Sequence, residues 1–158
     1  VYHPVGSGGE AIYVHAKVLV ADDTVLKIGS SNINNRSLRL DTECDVTVLA
    51  APDDEDTIRQ IAWTRNDLIG EHLGVPAEQV AARLAETGSL IKTIDTLSGT
   101  GRTLRLYVPP ELNDIEKWLA DNEVLDPEGP DEMFEPLSKR GLMRGFLGKF
   151  ARKRKGRA

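Results

Sequence analysis

The chain has 158 residues, 40% hydrophobic and 28% charged, with a net charge of −5, and this balance is expected to give a folded, soluble body of one domain or a large part of one. No apolar run reaches the ~18 residues of a membrane-spanning helix, no signal peptide is visible, and a single cysteine, Cys44, excludes an internal disulfide and fits a reducing compartment. The charge is segregated: residues 139–157 hold nine Lys/Arg and no acid, leaving 11 basic against 25 acidic residues elsewhere, an acidic body with a basic tail. The chain begins at Val1 and its first methionine is Met133, so a piece of a longer polypeptide is expected.

Residues 2–4 read as the end of an upstream element, followed by the turn GSGGE at 6–10. Residues 11–21 are rich in β-branched side chains and read as a strand. Asp22-Asp23 makes a turn, and residues 24–28 read as the partner strand of a hairpin. Residues 29–37 form a polar turn opening a short helical segment, and CDVTVL at 44–49 reads as a third strand. Cys44 is expected there as a small apolar strand residue.

After Pro52 the period changes. DDEDTIRQIAWTRNDLIGEHLG places acids in a first turn, where the positive end of a helix dipole favours them. Ile58, Ile61, Ala62, Leu68, Ile69 and Leu73 follow helical spacing, and Gly74 stands where a C-cap glycine belongs. Pro76 and Ala77 open a second helix that Gly88 closes, and residues 89–97 read as a third. TLRLYV at 103–108 reads as a short strand, and residues 111–120 as a helix carrying Trp118. LDPEGPDEMFEP is acidic and proline-rich, hence a linker. The expected organisation is a lobe at 1–124, a linker at 125–138 and a basic tail at 139–158. Trp63 and Trp118 are assigned to the core, His3 to a loop, and His72 to a helix C-terminus that favours its charge. The acids at 53–56 are assigned to a helix start rather than to a metal.

One stretch, VHAKVLVADDTVLKIGSSNINNRS, carries chemistry. On a strand, His15 and Lys17 would point to one face. An imidazole can attack an electrophile or donate a proton near neutral pH. A neighbouring ammonium holds an anion. Returning through the hairpin, the chain brings Gly29-Ser30-Ser31-Asn32 to the strand end. There glycine permits close backbone approach, and Ser30, Asn32 and turn amides can donate to phosphate oxygens. A working histidine is commonly oriented by a carboxylate, for which Glu43 is the first choice and Asp41 the second, with Asp45 also near in sequence.

His15-x-Lys17, four residues, Asp22, six residues and Gly29-Ser30-Ser31-Asn32 resemble the HKD signature of the phospholipase D superfamily, HxKxxxxDxxxxxxGSxN, at every fixed position. The flanks IYVHAK and NNRSLRLDTECDV and the segment IRQIAWTRNDLIGEHLG are also similar to that family, and DPEGP is a fainter likeness to its C-terminal region. The resemblance implies an α/β protein: one lobe of the phospholipase D fold, a mixed β-sheet flanked by helices. It implies a phosphodiesterase or phosphatidyl transferase acting on phospholipid without cofactor or metal. In that family two HKD motifs meet; one histidine attacks phosphorus and the other protonates the leaving alcohol. Carried over, His15 is nucleophile or acid, Lys17 and Asn32 bind phosphate, Ser30 supports the pocket, Glu43 orients the histidine, and Asp22 is a signature residue expected to be structural.

This chain has one HKD motif, at 15–32, early in the sequence. The layout resembles the C-terminal half of a two-motif bacterial phospholipase D-like or cardiolipin synthase-like protein. The expected partner is therefore a missing N-terminal HKD half or a second chain, and this chain alone is expected to be inactive. In the tail, Leu142, Met143, Phe146, Leu147 and Phe150 would share one face of a helix, flanked by Arg144, Lys149 and Arg152. That pattern fits an interfacial helix on anionic lipid and a peripheral place on the cytoplasmic face of a membrane, with a disordered basic tail as the bland alternative and nucleic-acid binding as a third. A nuclease of the same superfamily is the competing enzyme reading, disfavoured by the acidic body because nucleic-acid binding is driven by basic surface. A non-catalytic membrane-binding module is the third.

Overall fold

The computed structural model describes residues 1–121 and Asp126. The expected tail, and the linker apart from Asp126, lie outside the described residues. In chain order the elements are β1 (Tyr2–Val5), β2 (Lys17–Ala21), β3 (Val25–Gly29), a π-helical turn (Arg36–Leu40), β4 (Asp45–Leu49), α1 (Glu55–Leu73), α2 (Ala77–Thr87), α3 (Leu90–Leu97), β5 (Thr103–Leu106) and α4 (Asp114–Asp121). The chain is α/β and divides into two compact units: Val1–Ser30 with Cys44–Pro110, and Ser31–Glu43 with Glu111–Ala158.

The first unit holds two antiparallel sheets, one ordered β2-β3-β4 and one pairing β1 with β5. The sequence pointed to a mixed sheet; instead every strand pair among the described residues is antiparallel. A short turn joins β2 to β3, and such a turn can only return the chain against itself. That turn is Asp22-Asp23, both left-handed at φ 48° and 55°, closed by the Thr24 N–H on the Ala21 carbonyl at 3.1 Å. Paired left-handed residues match the twist of the flanking strands, and aspartate tolerates them better than most side chains.

Register decides which side chains share a face. Val18, Ile28 and Val46 line up across the sheet, as do Val20, Leu26 and Val48, making one apolar face on which Val18, Ile28, Val46 and Val48 are exposed. Lys17, Gly29 and Asp45 form one row of the other face, and Leu19, Lys27 and Thr47 the next. Lys27 reaches diagonally to Asp45 at 2.9 Å.

The core lies among the helices and the β1–β5 pair. Val5, Ile61, Leu73, Ala77 and Val80 are its buried apolar residues, and α1 packs on α2, α2 on α3, and α1 also on β5. Asp54 caps α1 by accepting the Thr57 N–H at 3.0 Å, and left-handed Gly74 and Gly88 end α1 and α2. Ser89 caps α3. The hairpin turn is tied to α1 by an Asp23–Arg65 ion pair, and burial pulls the Arg65 guanidinium below its ordinary pKa.

Four placements differ from the sequence reading, the first being Trp118, which is half-buried on α4 rather than in the core. His3 lies on β1 rather than in a loop, opposite Arg105 and edge-on to Tyr107 at 6.3 Å. A strand assignment needs a partner, and β5 supplies one from about a hundred residues away. Trp63 is 57% exposed instead of buried, because the buried side of α1 runs through Ile61, Asn66, Gly70 and Leu73. Cys44 is exposed and precedes β4. His72 stands in the last turn of α1 as expected.

In the second unit, α4 begins with a reciprocal cap. Asn113 Oδ1 accepts the N–H groups of Ile115 and Glu116 at 2.9 and 3.0 Å, and Glu116 Oε2 accepts the Asn113 N–H at 2.8 Å.

The Thr57 hydrogen bond lowers the Asp54 pKa, so its folded value lies below its unfolded value of roughly 3.9. The stabilisation is therefore complete above that unfolded value and is lost as pH falls through the depressed folded one. Asp54→Ala should lower the melting temperature at pH 7, with the gap to wild type closing near pH 2. Melting followed by circular dichroism at both pH values checks this, and a gap of equal size at both would contradict the assignment.

Candidate functional site

The motif residues fall in both units. His15, Lys17, Asp22 and Ser30 belong to the first; Asn32 and Glu43 belong to the second.

The expected strand at 11–21 is regular only from Lys17. Ahead of it, Ala11 bridges to Val5 and the Ile12 N–H bonds the Pro4 carbonyl at 2.9 Å. Lys17 pairs with Gly29, where β3 ends, so the ladder offers no partner to His15. His15 is exposed in an irregular approach to β2. Lys17 is half-buried, and its ammonium donates to the His15 carbonyl at 2.7 Å, a contact that keeps the cation close to the histidine's own backbone. The exposed Tyr13 ring lies 5.9 Å from the His15 ring, tilted by 36°. Sequence reasoning passed over Tyr13; its i, i+2 spacing in YVH was the available signal.

At the end of β3, Gly29 has a specific reason. A Cβ there would sit 2.6 Å from the Cys44 carbonyl oxygen and 2.7 Å from Asp45 Cα, both backbone atoms that cannot swing away. Ser30 is the residue that fastens the neighbouring chain. Its N–H donates to the Cys44 carbonyl at 3.1 Å and its Oγ accepts the Cys44 N–H at 3.0 Å. The exposed Cys44 side chain is thus incidental, while its backbone closes the base of the Ser31–Glu43 excursion.

Asp22 is exposed in the hairpin turn, at the opposite end of the β2–β3 ladder from Lys17 and Gly29. Four residues of strand, about 13 Å, separate the two ends.

Within the second unit, Asn32 Nδ2 donates to Ser37 Oγ at 3.5 Å, and the Ser37 N–H bonds Asn34 Oδ1 at 2.9 Å. Ser37 is buried, at 9% exposure. Asp41, the second choice as orienting carboxylate, pairs with Arg36 at 3.0 Å, and this bond and charge hold the Arg36 pKa above its usual value. Glu43 is half-buried at the end of the excursion.

Elsewhere in the first unit, a groove of about 550 Å³ lies between α1 and α2, lined by Trp63, Asn66, Ala77 and Ala81 among others. None of its lining residues belongs to the motif. Among the described residues no cluster of His, Cys, Asp and Glu is arranged to hold a metal ion, and no helix is long and apolar enough to cross a membrane.

A cation two residues from an exposed imidazole, on the strand position that pairs with Gly29, is suited to hold an anion such as a phosphate group. A family model described as phospholipase D matches residues 7–121, and the chain belongs to that family. Phospholipase D1 of Schizosaccharomyces pombe is 38% identical over 84 residues, 47% of this chain and 6% of the relative. Phospholipase D zeta 2 of Arabidopsis thaliana is 37% identical over 79 residues, 44% of this chain and 8% of the relative. Phospholipase D1 of Homo sapiens is 54% identical over 41 residues, 25% of this chain and 4% of the relative. The matched parts thus span less than a tenth of these relatives' lengths. No solved structure matches the chain significantly.

Gly29→Ala is expected to destabilise the first unit by about 1–3 kcal/mol, the usual range for overpacking, because its new methyl meets backbone on β4. Chemical denaturation measures this. Unchanged stability would mean that β4 shifts freely and that glycine is not required there.

Proposed function

We propose that the chain contributes one HKD motif to an enzyme that cleaves phospholipid phosphodiesters, by hydrolysis or by transfer to an alcohol. The observation that carries the reading is the meeting of Lys17, Gly29 and Ser30 at one end of the β2–β3 ladder, with His15 two residues ahead. Glycine there lets the neighbouring strand close on the sheet end, and the Lys17 ammonium supplies charge for a phosphoryl oxygen. The same signature carries an amide at Asn32, and a carboxylate follows at Glu43, the residue types this chemistry uses.

In this reading an imidazole nitrogen attacks phosphorus while the bond to the leaving alcohol breaks, giving a phosphohistidine. A second histidine, from another HKD half or a second chain, gives its proton to the departing oxygen. It then takes a proton from water or an acceptor alcohol, whose oxygen attacks phosphorus and releases the first imidazole. His15 serves as one of the two. The exposed apolar face of Val18, Ile28, Val46 and Val48 supports a further lobe, since apolar patches of this kind mark interaction surfaces. We place the enzyme peripherally on a membrane through residues 139–158, on the strength of their nine basic and no acidic side chains.

The test is turnover of phosphatidylglycerol and phosphatidylcholine by the full-length parent protein beside His15→Asn, with products followed by mass spectrometry. The variant is expected to lose turnover by a factor on the order of 10³ or more. Retained turnover would remove His15 from the chemistry, and a parent that cleaves nucleic acid but no lipid would replace the substrate.

For the membrane proposal, co-sedimentation with anionic vesicles should fall at least tenfold when residues 139–158 are deleted. Equal sedimentation of the truncated protein would refute it.

A further inference from the structure

The turn beside Asn32 is anchored by a residue far along the chain. Asp126 Oδ2 accepts the Asn35 N–H at 3.0 Å and Oδ1 accepts the Arg36 N–H at 3.1 Å. Asn35 returns a bond from Nδ2 to the Asp126 carbonyl at 3.0 Å. These are amides at the start of a helical turn, where donors have no partner within the helix, and Asn35 makes no side-chain cap of its own. A carboxylate is the strongest neutraliser for such donors, because it brings charge as well as two acceptors. The turn so anchored carries Ser37, buried and bonded to Asn32 Nδ2. Asp126, the Asn35–Arg36 amides, Ser37 and the Asn32 carboxamide therefore form one connected set within the second unit.

We propose that Asp126 is a positioning residue for phosphodiester cleavage: by fixing the start of the Arg36–Leu40 turn it holds the Asn32 carboxamide, through Ser37, in its phosphate-binding place. The inference rests on the phosphodiesterase reading. Displacements of an ångström at such a group are costly to the reaction, so a fall in kcat without loss of protection elsewhere separates this role from a structural one.

The experiment uses the full-length parent, as wild type, Asp126→Ala and Asp126→Asn, with a short-chain phosphatidylcholine as substrate and amide hydrogen exchange as a second readout. Asp126→Ala should lower kcat about 10–100-fold with KM within about threefold. Exchange at Asn35 and Arg36 should accelerate about tenfold, with protection in α1 unchanged. Asp126→Asn keeps an acceptor oxygen and should recover part of kcat. The proposal is overturned if kcat does not move, if α1 loses protection together with kcat, or if the asparagine variant is no better than alanine. A wild-type parent without turnover overturns the phosphodiesterase reading instead, and faster exchange at the two amides then marks a purely structural clamp.

Discussion

The arrangement depends on how closely β4 can approach the end of β3. With no side chain at Gly29, the Cys44 carbonyl and the Asp45 backbone lie where a Cβ would otherwise stand. Ser30 then binds Cys44 through both its amide and its hydroxyl. That closure joins the two ends of the Ser31–Glu43 excursion, and a loop whose ends are already pinned loses less entropy when its interior orders. The register of Lys17 against Gly29 follows from the same ladder, so the cation's position and the excursion's departure point are set by one local packing decision.

Two further constraints act at a distance. At the opposite end of the hairpin, Asp23 pairs with the partly desolvated Arg65 of α1. Removing Asp23 would leave the largely buried Arg65 guanidinium without this partner. In the second unit, Asp126 satisfies the amides that begin the Arg36–Leu40 turn. Both contacts tie turn geometry to side chains from distant parts of the sequence.

Membership of the phospholipase D family accounts for why these residue types stand at this spacing in the sequence. The motif uses no single residue with an exotic property; it combines an imidazole, an ammonium and a carboxamide at fixed spacing. Its aspartate sits in the hairpin turn, at the far end of the ladder, where a left-handed backbone favours that side chain for conformational reasons.

By itself the sequence determined the helices, the hairpin and the motif. Their signals are local: caps at Asp54 and Ser89, glycines at 74 and 88, and an unbroken spacing from His15 to Asn32. Only the tertiary structure decided what depends on partners distant in the chain. His3 became a strand residue because β5 pairs with it, and His15 fell outside the ladder because β3 turns away at Ser30. Trp63 faces outward because α1 buries a different stripe. Asp126, read as part of a linker, caps a turn some ninety residues earlier. Periodicity and capping act over a few residues, whereas pairing and burial are set by whichever surfaces the folded chain brings together.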